Sequence, residues 1–329
     1  MYEKQFEHTS NLKDKRILIT GGAGFIGSNI VEYSLQHQSK VTVLDNLATG
    51  NIENINPFIS NPNFNFINGD IRDKDTCLDA CNNIDIVCHQ AAIGSVPRSI
   101  KDPITSNEVN VNGFVNMLFA AKENNIKRFV YASSSSIYGD EKTLPKKEDK
   151  IGNPLSPYAV TKYTNEVYAK VFADCYGMEL IGLRYFNVFG PKQDPDGEYA
   201  AVMPLFIKAL LQNEAPFING DGEQTRDFTF VHNAVQANVL AMSTTNQEAL
   251  NQAYNVAVGG RYSINYMYDA IKNILGKDIN AIHREARAGD IRDSQADISK
   301  AENLLQYQPE FSFEAGLPLT IQYFKNIFK

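Results

Sequence analysis

Short apolar runs alternate with amphipathic stretches along the first 185 residues. Residues 16–20 (RILIT) are apolar and β-rich and stop at a glycine cluster, and residues 25–36 then repeat apolar side chains at helical spacing. Residues 40–45 (KVTVLD) predict a second strand, 63–67 a third, 73–81 a helix and 84–89 a fourth strand. Residues 104–124 predict a long helix and 128–132 (RFVYA) a strand. Residues 157–176 predict a helix opened by Pro157, where a missing N–H costs little, and 180–185 predict another strand. Strands and helices alternating at this spacing predict βαβ units and a parallel sheet. Continuous apolar strands suit a sheet covered on both faces.

Beyond residue 190 the pattern loosens around Pro191, Pro195 and Pro204. Helices are expected over 203–212, 233–242, 264–275, 299–305 and 313–328, mixed with short strands. The expected architecture is α/β: a doubly wound domain over residues 1–185 and a smaller mixed α/β lobe over 186–329. These boundaries are approximate, with some interleaving. Residues 1–15 read as a polar lead-in.

Composition narrows the classes. Of 329 residues, 43% are hydrophobic and 21% charged, enough apolar material for a core, so disorder and small disulfide scaffolds fall away. A formal net charge of −7 makes a non-specific nucleic-acid or membrane-surface binder a poor fit. No apolar window is long enough for a transmembrane helix, and the charged N-terminus lacks a signal-peptide core. Cys77, Cys81, Cys88 and Cys175 match neither a disulfide framework nor a zinc spacing. A reduced, cytoplasmic protein without a bound metal is expected.

The first strand runs into Gly21-Gly22-Ala23-Gly24-Phe25-Ile26-Gly27, with glycines at 21, 24 and 27. Between a strand and a helix, in the first βαβ unit, this is a dinucleotide cradle. The first glycine allows the turn, the second lets a pyrophosphate approach and the third lets helix and strand pack closely. The helix N-terminus offers free amides to the phosphates. A Rossmann-type sheet is therefore expected. Asp45 ends the second strand; its carboxylate suits a ribose diol and repels a 2′-phosphate, favouring NAD over NADP. Residues 46–50 (NLATG) hold no cation to rescue a phosphate. Asp70, after the third strand, reads as an adenine-edge cap or as a plain turn residue.

Tyr158 and Lys162 are four apart on a predicted helix and share one face. A nearby ammonium, with the positive nicotinamide ring of NAD, favours a phenolate and pulls the tyrosine toward the working pH. Its hydroxyl then takes a proton from a substrate alcohol as hydride leaves the carbinol carbon. The strand before it ends in Ser133-Ser134-Ser135-Ser136, whose hydroxyls at the carboxyl end of a central strand suit the same substrate oxygen.

TGGAGFIG, the serine run before IYGD, and YAVTK resemble the extended short-chain dehydrogenases/reductases that act on nucleotide sugars. The resemblance runs from about residue 16 to the C-terminus. GNPLSPYAVTKY, GLRYFNVFGP, QDPDGEYAAVMP, NGDGEQTRDF and GDIRDSQAD are most similar to bacterial UDP-N-acetylglucosamine 4-epimerases of surface-polysaccharide pathways. It implies that Gly21, Gly24, Phe25, Ile26 and Gly27 hold the NAD pyrophosphate, and Asp45 and Asn46 the adenosine ribose. Asp70 and Ile71 would flank the adenine, and Gln90, Ala91 and Ala92, with Asn110 nearby, the nicotinamide. Tyr158 would be the base, Lys162 its electrostatic partner, and Ser134 with Ser135 the clamp on the alcohol oxygen. Asn187, Ala201, Val202, Arg226, Arg261 and Arg287 would hold the UDP part, since arginines suit a pyrophosphate. The resemblance also implies a homodimer formed through helices 104–124 and 157–176. One departure is His232, where relatives often carry aspartate; Asn233 beside it is expected to cap a helix.

Related 4,6-dehydratases carry an Asp-Glu pair where this chain has Ser135 and Ser136. Without that acid, oxidation and re-reduction at C4 is the expected chemistry. In galactose-specific relatives a tyrosine stands at the position of Ser294 and crowds the C2 substituent. Serine leaves room for N-acetyl, so the UDP-GlcNAc/UDP-GalNAc pair is expected. UDP-glucose and hexuronates such as UDP-GlcNAcA remain as alternatives, as does a reductase. From another class, an NAD-sensing module predicts loss of the Tyr/Lys pair, which this chain keeps.

Overall fold

The structure is a computed structural model that describes residues 2, 5–6, 9–196, 201–286 and 292–328. Six strands follow the predicted order: β1 (Arg16–Thr20), β2 (Lys40–Asp45), β3 (Phe64–Asn68), β4 (Ile86–His89), β5 (Arg128–Ser134) and β6 (Glu179–Tyr185). Short strands β7 (Val188–Phe189), β8 (Phe217–Asn219), β9 (Thr225–Arg226) and β10 (Thr229–Phe230) come next. β11 (Gln252–Val256), β12 (Tyr262–Ser263) and β13 (Ile282–Arg284) complete the set. The main sheet runs β3-β2-β1-β4-β5-β6-β11, and all its pairs are parallel. Its outermost strand, β11, comes from far beyond residue 185. The chain fills one side of β1 first and then crosses to β4, so the switch point lies between β1 and β4. In such sheets ligands bind there, at the carboxyl ends.

Helices cover both faces. α1 (Phe25–Gln36) lies with α8 (Val231–Ser243) over one face, where Ile30, Val31, Val235 and Leu240 share a core with Ile19 and Val43. On the other face α2 (Lys74–Ala80), α5 (Gly113–Glu123) and α6 (Pro157–Tyr176) bury Phe114, Leu118 and Phe129. Each such side chain stabilises the fold by roughly 1.5–3 kcal/mol. Two short helices, α3 (Val96–Lys101) and α4 (Pro103–Asn107), stand between β4 and α5. The predicted helix over 104–124 is a chain of pieces: α4, one π turn at Glu108–Asn112, then α5. α6 has the predicted bounds because its punctuation is complete. Ser156 accepts the Ala159 amide, Pro157 opens the first turn, and Gly177 leaves it at φ 63°.

The C-terminal lobe holds α7 (Val202–Leu211), α9 (Ile264–Leu275), α10 (Ser299–Leu305) and α11 (Phe313–Ile327). α7, α9 and α11 enclose a core that includes Phe189, Phe206, Met267 and Phe313, while Ala301 and Leu305 of α10 join the core on the α1/α8 face of the sheet. Two sequence expectations change. Tyr2 and Phe6 are buried in the core beside Tyr33 and His232, so the lead-in carries core residues. Asn233 is not a cap: Phe230 holds that place, and Asn233 ties down the Glu310 and Phe311 amides from inside α8. Among the described residues no helix is long and apolar enough to cross a membrane.

Candidate active site

The glycine loop turns where the sequence places it. Gly21 adopts φ +68°, and a Cβ there would sit 2.7 Å from the Ala91 nitrogen. A Cβ on Gly27 would run into the Gly21 carbonyl oxygen. Gly24 is the N-cap of α1 and brings no capping side chain, which leaves the first-turn amides available to a phosphate. A cradle that tolerates no side chain is what a pyrophosphate needs, so the residues present fit a dinucleotide.

Asp45 is buried at the end of β2. Its carboxylate accepts the amides of Ala23 and Leu47, each at 2.9 Å. Burial raises its pKa, and the two amide bonds oppose that. Asp45 therefore also braces the glycine loop, a second role that its position at the strand end did not reveal. Asn46 donates to Asp70 at 2.8 Å, and Arg72 pairs with Asp70 at 2.7 Å. The Arg72 hydrogen bond, with help from its amide and Asn46, holds the Asp70 carboxyl down to about 2. Gly21, Gly24, Asp45, Asn46, Asp70, Ile71, Gln90, Ala91 and Ala92 all line one cavity of about 230 Å³. Arg72 lines it too, a cation missed because it stands outside residues 46–50; its guanidinium is engaged by Asp70.

A larger cleft of about 720 Å³ shares Gly21, Gly24, Gln90 and Ala92 with the first and adds Phe25, Ile26 and Gly27. Tyr158 and Lys162 line it, together with Ala132 and Ser133 from the end of β5. Lys162 is buried, donates to the Ala132 carbonyl at 2.9 Å, and lies 6.0 Å from the centre of the Tyr158 ring. Burial pulls its ammonium down to about 8. Burial also raises the Tyr158 hydroxyl, and a hydrogen bond with Ser134 opposes that rise. In the chain alone, desolvation outweighs Ser134 and the Tyr158 hydroxyl stays above its ordinary value.

Ser134 is also the cap of a single 3₁₀ turn, accepting the Ser136 amide. Ser135 begins that turn, and at the end of β5 the residues that line the cleft are Ala132 and Ser133. Ser136 has a buried hydroxyl with no hydrogen-bond partner. Asn110 sits in the π turn and grips Ile93 through its amide at 2.8 Å and its carbonyl at 3.0 Å. It shapes the loop after β4 from behind, and π turns often mark such sites. Gln90 is fixed by Asn238 and by the Tyr185 hydroxyl, each at 3.0 Å.

Asn187, Ala201 and Val202 line the large cleft. Arg226, Arg261 and Ser294 lie apart from its walls. Arg226 on β9 donates to the carbonyls of Thr225 and Arg292, and Arg261 pairs with Asp293 at 2.9 Å. The Ser294 amide donates to the Thr225 carbonyl, so these residues form one cluster around the β9–β12 pair. Arg287 lies outside the described residues. Arg98 on α3 and Tyr185 also line the cleft, and sequence reasoning missed both. α3 hides behind Gly94 and a Ser95 at φ 89°, which read as loop. Cys77, Cys81 and Cys88 are core thiols pushed up to about 12 by burial.

The profile of the NAD dependent epimerase/dehydratase family matches residues 17–257. A relative from Methanocaldococcus jannaschii, a putative UDP-glucose 4-epimerase, is 41% identical over 314 residues, spanning 94% of this chain and 98% of its own. The solved UDP-N-acetylglucosamine 4-epimerase of Methanobrevibacter ruminantium, in complex with UDP-N-acetylmuramic acid, superposes with a TM-score of 0.90 at 41% identity. That match covers 96% of this chain and 99% of the other. The UDP-glucose 4-epimerase of Thermotoga maritima, with UDP-glucose, gives a TM-score of 0.90 at 36% identity over 95% and 100% of the two chains. The dinucleotide cradle, the Tyr158–Lys162 pair at the switch point and these matches agree: the chain belongs to the NAD-dependent epimerase/dehydratase family.

Proposed function

We propose that this enzyme inverts C4 of UDP-N-acetylhexosamines, interconverting UDP-GlcNAc and UDP-GalNAc through a 4-keto sugar. The observation that carries the reading is Tyr158 beside a buried Lys162 at the end of β5, in a cleft continuous with the dinucleotide cradle, with Ser134 countering the rise of the Tyr158 hydroxyl. Tyr158 takes the proton of the C4 hydroxyl, and Ser134, with Ser135, steadies that oxygen. NAD, which the glycine loop, Asp45 and Gln90 would hold, would supply the hydride acceptor and donor for both half-reactions. Tyr158 then gives the proton back, so atoms and charge balance over the cycle. Lys162 holds positive charge beside the developing phenolate. Serines at 135 and 136 leave no acid for elimination at C6.

Asn187, Ala201, Val202, Arg226, Arg261 and Arg287 hold the UDP part in this reading. The size of Ser294 and the 41%-identical N-acetylglucosamine epimerase support the acetylated sugar. A hexuronate is the second reading, favoured by Arg98 in the cleft, whose guanidinium suits a C6 carboxylate. The enzyme works as a homodimer in this reading. Val160, Tyr163, Val167, Tyr168 and Val171 leave α6 with an exposed apolar stripe that a second α6 would cover.

The test is incubation of the purified protein with UDP-GlcNAc, without added cofactor, and anion-exchange separation of the products. UDP-GalNAc is expected. Conversion of UDP-glucose or UDP-glucuronate but not of UDP-GlcNAc would overturn the sugar assignment.

A further inference from the structure

Ser133 stands one residue before Ser134, yet its hydroxyl serves another partner. It donates to Glu166 at 2.5 Å. Glu166 lies four residues after Lys162 and eight after Tyr158, so the three share one stripe of α6. The carboxylate of Glu166 is held by Arg184, which donates from Nε at 3.0 Å and from Nη2 at 2.8 Å. Arg184 faces Ser133 directly in the β5–β6 register, as Tyr185 faces Ser134. Both members of the pair are buried, with side chains 5% and 11% exposed. The remaining Arg184 nitrogen, Nη1, donates to the Tyr138 hydroxyl and to the Glu148 carbonyl, each at 3.0 Å. Tyr138 closes the 3₁₀ turn that Ser134 caps, and its own hydroxyl donates to Asn255 on β11 at 2.6 Å.

Ser134 is therefore fastened from both flanks to one ion pair. Ser133 holds it on the amino side and Tyr138 on the carboxyl side, while Glu166 ties the same pair to the helix that carries Tyr158 and Lys162. We propose that the buried Glu166–Arg184 pair is a positioning device that sets the Ser134 hydroxyl against Tyr158. Neither residue touches the cleft; they act through Ser133, Tyr138 and the α6 backbone. This rests on the reading above only in placing proton transfer at Tyr158 and Ser134, whichever UDP-sugar is turned over. A buried pair of this kind adds little net stability and is costly to break on one side only. Its value here is register, because a misplacement near 1 Å in a reacting constellation costs as much as about 100-fold in rate.

The variants are Ser133→Ala, Glu166→Gln and the double variant, assayed with whichever of UDP-GlcNAc, UDP-glucose and UDP-glucuronate the wild type turns over fastest. Ser133→Ala removes one hydrogen bond and leaves the ion pair intact, so it folds even if Glu166→Gln does not. The expected result is a kcat lowered about tenfold with KM within twofold and Tm nearly unchanged. The double variant is then no slower than Glu166→Gln, since both act along one path. A purely structural role would lower Tm and active fraction without that split. Ser133→Ala with kcat within twofold of wild type, or with the change in KM instead, overturns the proposal. Tyr158→Phe, run alongside, separates the failures: an inactive Tyr158→Phe with a normal Ser133→Ala sinks the positioning role alone.

Discussion

The two halves of the cleft are built by different means. On the proposed cofactor side the lining is backbone: Gly21 at φ +68°, the amides at the start of α1, and Ala23 braced by Asp45. On the proposed substrate side the groups are side chains on short, scattered pieces. Arg226 is on β9 and Arg261 just before β12, both set back from the cleft walls, and Asn187 holds φ 33° just before β7. A backbone cradle is rigid once its strand and helix are placed. A constellation of long side chains is adjustable and can be spoken for by neighbours, as Arg261 is by Asp293. One sheet can thus keep its cofactor while its substrate lobe varies.

The sharpest way to break this comparison acts at the boundary between the halves. Tyr158→Phe keeps the ring and the packing but removes the hydroxyl whose rise Ser134 opposes. The expected loss is about 10³-fold in kcat, with bound NAD and Tm unchanged. A variant retaining near-full activity sinks the role given to Tyr158. Gly27→Ala tests the cradle itself. A Cβ there meets backbone, which cannot yield as a side-chain tip would. Protein purified from this variant is expected to carry little NAD, read from the absorbance of its heat-released nucleotide, and to melt lower. If it retains a full complement of NAD, the preformed cradle is wrong.

The same division explains what the sequence makes legible. Glycine spacing, the strand-to-helix order and the Tyr158–Lys162 pair are local, and the fold follows them nearly residue for residue. β5 runs on to Ser134, two residues past its apolar core, because Ser133 finds a buried acceptor in Glu166 and so tolerates the sheet interior. That acceptor is 33 residues away and leaves no mark on the strand. The one available signal is Glu166 falling on the Tyr158–Lys162 stripe. Arg72 reaches its cavity from a turn held by Asp70, and Arg98 reaches the cleft from α3, whose start follows the positive φ of Ser95. Tyr2 and Phe6 look like a tail until α1 and α8 offer Tyr33 and His232 to pack on.

On the substrate side, Ser294→Tyr sharpens the comparison. Ser294 is nearly buried and pinned through its amide to Thr225, so a tyrosine ring there has to project from a fixed point. Selectivity, measured as the ratio of kcat/KM for UDP-GlcNAc and UDP-glucose, should move about tenfold or more toward UDP-glucose. NAD content stays the same. A variant that epimerises the acetylated pair at the full rate shows that another residue sets selectivity.

The smallest expected effect sets one carboxylate from each half against the other. Asp70, on the cofactor side, is held down to about 2, chiefly by the Arg72 hydrogen bond. Its native value lies below the ordinary 3.8, so the stability it adds is present above that value and is lost as pH falls toward about 2. Asp227, in the substrate lobe, is fully buried, and burial lifts it to about 6. It accepts the amides of Val258, Gly259 and Ala296, which oppose the lift without cancelling it. Here the native state binds its proton more tightly than the unfolded chain does. Its contribution is therefore greatest at low pH and declines as pH rises from about 4 to about 6, after which it is constant. Carboxyl NMR should find one aspartate titrating near 6 and another still ionised at pH 3. Asp70→Asn should flatten the acid limb of Tm below pH 4 while leaving the decline toward pH 6 in place. If every aspartate titrates near its ordinary value, neither the burial of Asp227 nor the Arg72 clamp on Asp70 has the strength the geometry gives it. The two halves would then respond to pH alike.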